Sequence, residues 1–289
     1  MTPDALTLAP SGAREELALS GAALYGDDFS PSEIEAWFND EREGYFDLYY
    51  GHREGQATAE EEYGYRELAQ RHGFDWLPAG RIYQHALGIG SATGSELDPV
   101  LDRSERVTVL EPSDGFATTQ RRGKPVHYVK PSASGRMPFE DQSFDLIVCF
   151  SVLHHVPNVS TVVQEMHRVL RPGGQVLLRE PTCSMGDWRQ PRLGLTKRER
   201  GIPLQVFRRI VQNAGLKVVA ETRCNFALMS RLQPLLKRPL WTVPWVVTVD
   251  AVLSRMPIWP ERYHATRTWH KLRPISVAYV LERPPAARQ

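Results

Sequence analysis

From Arg81 onward the chain alternates short apolar runs with stretches of helical spacing. The runs are Ile82 to Leu87, Val107 to Leu110, Val126 to Val129, Phe144 to Phe150, Gln175 to Arg179 and Leu216 to Glu221. Strand-length apolar runs separated by amphipathic helices predict a parallel sheet wrapped by helices. The clearest of those helices gathers Val159, Val162, Val163, Met166, Val169 and Leu170 on one face, and Arg171-Pro172-Gly173-Gly174 is expected to end it. Another is expected from about Pro203 to Ala214, stopping at Gly215. Ile275 to Leu281 predicts a final strand, which leaves about fifty residues after Glu221 as an insertion with its own helices.

Ahead of Arg81 the spacing is helical. Ser30-Pro31-Ser32-Glu33 reads as a capping box with proline at the first helical position, followed by Ile34, Trp37, Phe38, Tyr45, Leu48 and Tyr49. Thr58 and Glu61 repeat the box before Tyr65, Leu68 and Ala69, with Gly73 as the stop. Four segments follow: an amino-terminal helical cap over 1–80, a core over 81–224, a helical insertion or cap over 225–273, and a last strand with tail over 274–289.

Composition narrows the function. In 289 residues, 35 Lys and Arg stand against 34 Asp and Glu, so the formal charge of +1 lacks the basic footprint of a nucleic-acid binder. Cys149, Cys183 and Cys224 show no ligand spacing and are odd in number, which argues against a disulfide scaffold and against a zinc site and fits a reducing cytoplasm. Met1 to Ser20 carries Asp4, Glu15 and Glu16 without an apolar core, unlike a signal peptide. Pro239 to Val249 is broken by Pro244 and is too short for a membrane span.

Candidate chemistry begins at Leu87-Gly88-Ile89-Gly90-Ser91-Ala92-Thr93-Gly94, whose glycines let a ligand approach the backbone at the carboxyl edge of the sheet. The third glycine comes one residue later than a dinucleotide cradle wants. Glu111, ending the next strand, offers two oxygens to the hydroxyls of a ribose. Loop and acid together argue for a nucleoside-bearing cofactor.

These features, with Met137-Pro138-Phe139-Glu140-Asp141-Gln142-Ser143-Phe144-Asp145-Leu146 and Arg168-Val169-Leu170-Arg171-Pro172-Gly173-Gly174, resemble the class I S-adenosylmethionine-dependent methyltransferases over roughly Arg81 to Glu221. The resemblance implies an α/β, Rossmann-like three-layer sandwich with a mostly parallel seven-stranded sheet, and S-adenosylmethionine as cofactor with S-adenosylhomocysteine as product. It implies cofactor contacts at Gly88, Gly90, Ser91, Gly94 and Phe150, with Glu111 on the ribose. The family usually has an Asp beside the adenine amino group; this chain has Ser132-Ala133-Ser134, and Ser134 or a backbone group near Gly135 is the expected substitute.

On the acceptor side, His154 and His155 follow the strand Phe144 to Phe150, and either imidazole could take a proton from a hydroxyl during methyl transfer. Glu180 is the third catalytic candidate. The long connection from Pro181 to Ile202 offers Trp188 as a stacking face and Arg189 and Arg192 as forked donors, with Tyr49 from the amino-terminal helices closing the acceptor side. No metal is required. Leu240, Trp241, Trp245, Val246 and Val249, near Arg231, Lys237 and Arg238, could form a cap core, a homodimer face or a peripheral membrane contact. The expected activity is cytoplasmic O-methylation of a small polar acceptor such as a sugar hydroxyl or glycan intermediate. N- or S-methylation of a small metabolite and an inactive binding protein of the same fold are the alternatives, and nucleic-acid methylation ranks below the two small-molecule readings.

Overall fold

The computed structural model describes residues 11–50 and 62–285, apart from a few side chains in the first stretch that include Tyr49. The Thr58/Glu61 box therefore lies outside the described residues. Seven strands form one sheet: β1 (Tyr83–Ile89), β2 (Ser104–Leu110), β3 (His127–Val129), β4 (Phe144–Phe150), β5 (Leu170–Pro181), β6 (Lys217–Phe226) and β7 (Pro274–Glu282). Their spatial order is β3-β2-β1-β4-β5-β7-β6. β1 to β5 pair in parallel, whereas β7 runs antiparallel to both neighbours. Every residue of β4 is buried, which is why that strand reads as an unbroken apolar run rather than an alternation.

The helices are α1 (Ser11–Ser20), α2 (Pro31–Tyr50), α3 (Arg66–His72), α4 (Val159–Val169), α5 (Leu204–Asn213) and α6 (Pro244–Ser254). α4 and α5 cover one face of the sheet, with Val163, Met166 and Phe207 packed on Ile147, Val176 and Tyr279. α3 with Phe74, and the turn Asp98–Leu101 that follows the glycine loop, cover the other. α2 opens as its capping box predicts: the Ser30 backbone N–H and hydroxyl both donate to Glu33.

Two boundaries differ from expectation. β5 already starts at Leu170, so Arg171-Pro172-Gly173-Gly174 belongs to the strand rather than to a helix stop. The backbone there exchanges hydrogen bonds with Arg283 beyond β7, at 2.8 Å from Gly173 N–H and 3.0 Å to Gly174 C=O. β6 runs on to Phe226, where buried Asp250 of α6 accepts from the backbone N–H groups of Asn225 and Phe226. The inserted segment packs Leu240, Trp241, Val246 and Val247 with Leu68 of α3 and Ala278 of β7. Trp245, Val249 and Val252 of α6 stay exposed. Among the described residues no helix is long and apolar enough to cross a membrane.

Candidate active site

The carboxyl ends of β1, β2 and β4 open into a cavity of about 530 Å³. Ligands of doubly wound sheets bind outside this edge, where the strand order reverses. Gly90 lines it in a left-handed conformation, φ 60°, and a Cβ there would lie 2.7 Å from Val152. Gly88 is required for another reason: its Cβ would collide with the Ser91 hydroxyl and Leu97, so this glycine packs the loop instead of touching the cavity. Gly94, φ 76°, turns the chain into the following short helix and does not line the cavity. Ala92 and Ser151 also line the cavity with positive φ, 44° and 59°. Such strain in residues with a Cβ gathers at functional sites.

Glu111 is 5% exposed and accepts from the backbone N–H groups of Ala92 and Ser113, both at 3.1 Å. Burial pushes its pKa up to about 7 against the opposing pull of those two donors. Phe150 and Ser91 line the same cavity. Ser132, Ala133 and Gly135 form its wall beyond β3, but Ser134 does not: its hydroxyl lies 2.9 Å from that of Ser132 and its carbonyl accepts from Asn158 Nδ2 at 2.6 Å. Of the two expected positions, Gly135 lines the cavity and Ser134 does not; Asn158 also lines it, and its Oδ1 is buried without a partner. Sequence reasoning missed it because an Asn before a helix reads as an N-cap.

The two histidines separate. His155 lines the cavity; its Nδ1 sits 2.7 Å from Glu41 Oε2 of α2, and its ring meets Tyr45 edge-on at 5.6 Å. Glu41 also accepts from the Thr196 hydroxyl at 2.5 Å and the Arg198 backbone N–H at 2.6 Å, so its carboxylate is fixed. Trp37 Nε1 donates to the His155 carbonyl at 2.7 Å and docks α2 on the same loop. His154, 6% exposed, faces away from the cavity, with Nδ1 2.7 Å from Glu180 and Nε2 3.5 Å from Glu199. Burial lowers its pKa, yet the bonds to those two carboxylates outweigh this and hold it at about 9. An imidazole protonated at neutral pH cannot serve as the base. Glu180, fully buried, accepts from the backbone N–H groups of Val152 and Leu153 at 2.8 Å and does not line the cavity, so it anchors the loop that carries His155. His154, His155 and Glu199 offer atoms within 4.8 Å of one another, but these side chains are already tied into this hydrogen-bond network.

The loop from Pro181 to Ile202 departs furthest from expectation, since Trp188, Arg189 and Arg192 do not line the cavity. Trp188 is 6% exposed and stacks on Tyr25 at 4.5 Å. Arg189 pairs with Asp187 at 2.8 Å and Glu15 at 3.4 Å. Arg192 donates to carbonyls of its own loop, at Met185, Thr196, Lys197 and Glu199. The acceptor side of the cavity is walled by Phe38, Arg42 and Tyr45 of α2 beside His155 instead. Tyr49 belongs to that helix, but its side chain lies outside the described residues.

Residues 87–178 match the family described as methyltransferase domain. Over 111 residues the chain is 29% identical to a ubiquinone biosynthesis O-methyltransferase of Pseudomonas aeruginosa, covering 36% of this chain and 48% of that protein. Over 156 residues it is 30% identical to the demethylmenaquinone methyltransferase of Streptomyces avermitilis, covering 53% and 62%. The chain thus spans about half the length of such curated relatives. Among solved structures, the 4+2 cyclase SpnF superposes with a TM-score of 0.55 at 15% identity, covering 91% of this chain and 100% of its own. That likeness concerns the fold alone. The matched segment runs from the glycine loop into β5, within the seven-stranded sheet that positions it, and there the chain is similar to class I S-adenosylmethionine-dependent methyltransferases.

Proposed function

We propose that this protein transfers the methyl group of S-adenosylmethionine to a hydroxyl of a small polar acceptor, such as a sugar or a phenol, held between the glycine loop and α2. The observation that carries the reading is His155: a cavity-facing imidazole whose Nδ1 is held by a fixed carboxylate, leaving Nε2 to accept a proton. Nitrogen or sulfur acceptors would not call for that arrangement. The phenolic alternative draws support from the similarity to a ubiquinone biosynthesis O-methyltransferase.

The cavity's donors and acceptors fit the cofactor. Gly90 leaves room beside Val152, Glu111 offers two oxygens to a diol, and the unpartnered Asn158 Oδ1 suits the adenine amino group. When bound, the cofactor supplies an electrophilic methyl on a sulfonium. The chain's own part is to align the acceptor along α2, exclude water with Tyr45 and Phe38, and receive the hydroxyl proton at His155 Nε2.

Calorimetric titration with S-adenosylhomocysteine tests the cofactor, and methyl transfer to a panel of sugars, phenols and amines tests the acceptor. Glu111→Ala removes charge-assisted hydrogen bonds worth about 1.5–3 kcal/mol, so affinity should fall roughly 10- to 100-fold. Unchanged affinity in a folded variant would exclude this placement of the ribose.

The same carboxyl also sets a pH dependence. A diol donates to the ionised form of Glu111, whose pKa of about 7 leaves it half protonated at neutrality in the empty protein. Affinity for 5′-methylthioadenosine, which has the nucleoside alone, should therefore rise from pH 6 through 7 and level off by pH 8 to 9. Flat affinity across that range in calorimetry would contradict a Glu111 contact.

A further inference from the structure

The inserted segment carries an apolar face that the core does not use. Val246 and Val247 of α6 pack inward, whereas Trp245, Val249 and Val252, spaced four and three residues apart, form a stripe towards solvent, with Trp245 54% and Val252 62% exposed. Met256 and Ile258, just past the end of α6, are exposed as well. A surface helix ordinarily turns a polar face outward, and apolar stripes left in solvent mark interaction sites.

The charges around this face are of one sign. Between residues 227 and 260 the chain has four cations, Arg231, Lys237, Arg238 and Arg255, and one carboxylate, Asp250. Asp250 is fully buried and accepts from the backbone N–H groups of Asn225 and Phe226. The four cations are exposed and, among the described residues, make no ion pair. Arg255 directly follows α6. The turn with Lys237 and Arg238 is tied to the entry of α6 by Gln233, whose side chain donates to the Arg238 carbonyl and accepts from the Leu240 N–H.

An apolar stripe with an indole, rimmed by unpaired cations, complements a surface that has acyl chains beneath negative headgroups. We propose that this face of α6 docks on an anionic lipid bilayer, with Trp245, Val249 and Val252 entering the headgroup boundary and Lys237, Arg238 and Arg255 meeting the phosphates. A second copy of the chain fits this face less well, because a symmetric contact would set both groups of cations against each other. Pro239, next to Arg238, lines the wall of the cavity, so docking brings that wall to the lipid surface.

Sedimentation of the full chain with vesicles tests the proposal. Vesicles of phosphatidylglycerol and phosphatidylcholine in equal parts should bind it, vesicles of phosphatidylcholine alone at least about 10-fold more weakly, and added salt should weaken the binding. Lys237→Gln combined with Arg238→Gln should reduce binding about 25-fold, roughly fivefold for each cation. Trp245→Ser and Val252→Ser should also weaken it, with thermal melts unchanged because both side chains are exposed. Equal partition onto the two vesicle types, no binding to either, or undiminished binding by these variants overturns the proposal. So does a dimer in sedimentation velocity that Trp245→Ser dissociates while vesicles stay unbound, which would assign the face to a second copy.

Discussion

Replacing His155 with alanine is expected to lower turnover about 10²- to 10⁴-fold while cofactor affinity stays near wild type, because a positioned general base acts on the transition state and not on ground-state binding. Glu41→Gln should act in the same direction with a smaller loss. It leaves the imidazole in place but weakens the partner that fixes its tautomer, in a network that also holds Thr196 and Arg198. As a positioning residue, Glu41 should affect kcat more than the acceptor KM, and Glu41→Asp should restore part of the loss. Steady-state kinetics with an acceptor identified from the panel, together with cofactor titration of each variant, provides the check. Near-normal turnover of His155→Ala from pH 6 to 9 would show that the acceptor needs no base, and nitrogen or sulfur methylation would become the better reading.

The core was legible because its strands are buried on both faces, so β4 and its neighbours appear as apolar runs whatever surrounds them. The glycine loop and Glu111 were legible because they recur at fixed offsets along one βαβ unit. Their individual roles were not. Gly88 and Gly90 look alike in sequence, and only the positions of Ser91 and Val152 show that one packs the loop while the other faces the cavity.

The acceptor side was read least well, for a reason common to several residues. Charge in a sequence says nothing of the partners that will occupy it. Arg189 and Arg192 read as available forks, but one is held by acids and the other closes its own loop. Conversely Arg179 reads as the end of an apolar strand, yet it lines the cavity, buried against Tyr65 and Phe150 and bonded to the Tyr63 hydroxyl. Glu41 stands 114 positions from His155 in a helix whose apolar spacing drew attention away from its acids. Such pairings arise only when separate elements pack, and no local pattern encodes them.

Glu180 gives the largest expected effect on stability. Its carboxylate accepts from three consecutive backbone N–H groups, Val152, Leu153 and His154, and from the His154 ring, all at a fully buried position. Glu180→Ala would strand these donors and leave His154 with a single carboxylate, at 3.5 Å. Breaking a buried pair in this way costs about 3–5 kcal/mol, which for a domain of this size lowers Tm by on the order of 10 °C. The effect should depend on pH with a definite sign. Because the folded pKa of His154, about 9, lies above its ordinary 6.5, the ion pair's contribution is complete below about pH 6.5 and is lost as pH rises through 9. The difference in Tm between wild type and Glu180→Ala should therefore be largest near pH 6 and shrink towards pH 10, where only the backbone donors still miss their acceptor. Thermal melts of both proteins at pH 6, 8 and 10 measure it. An unchanged Tm accompanied by lost turnover would mean that Glu180 acts on the acceptor itself.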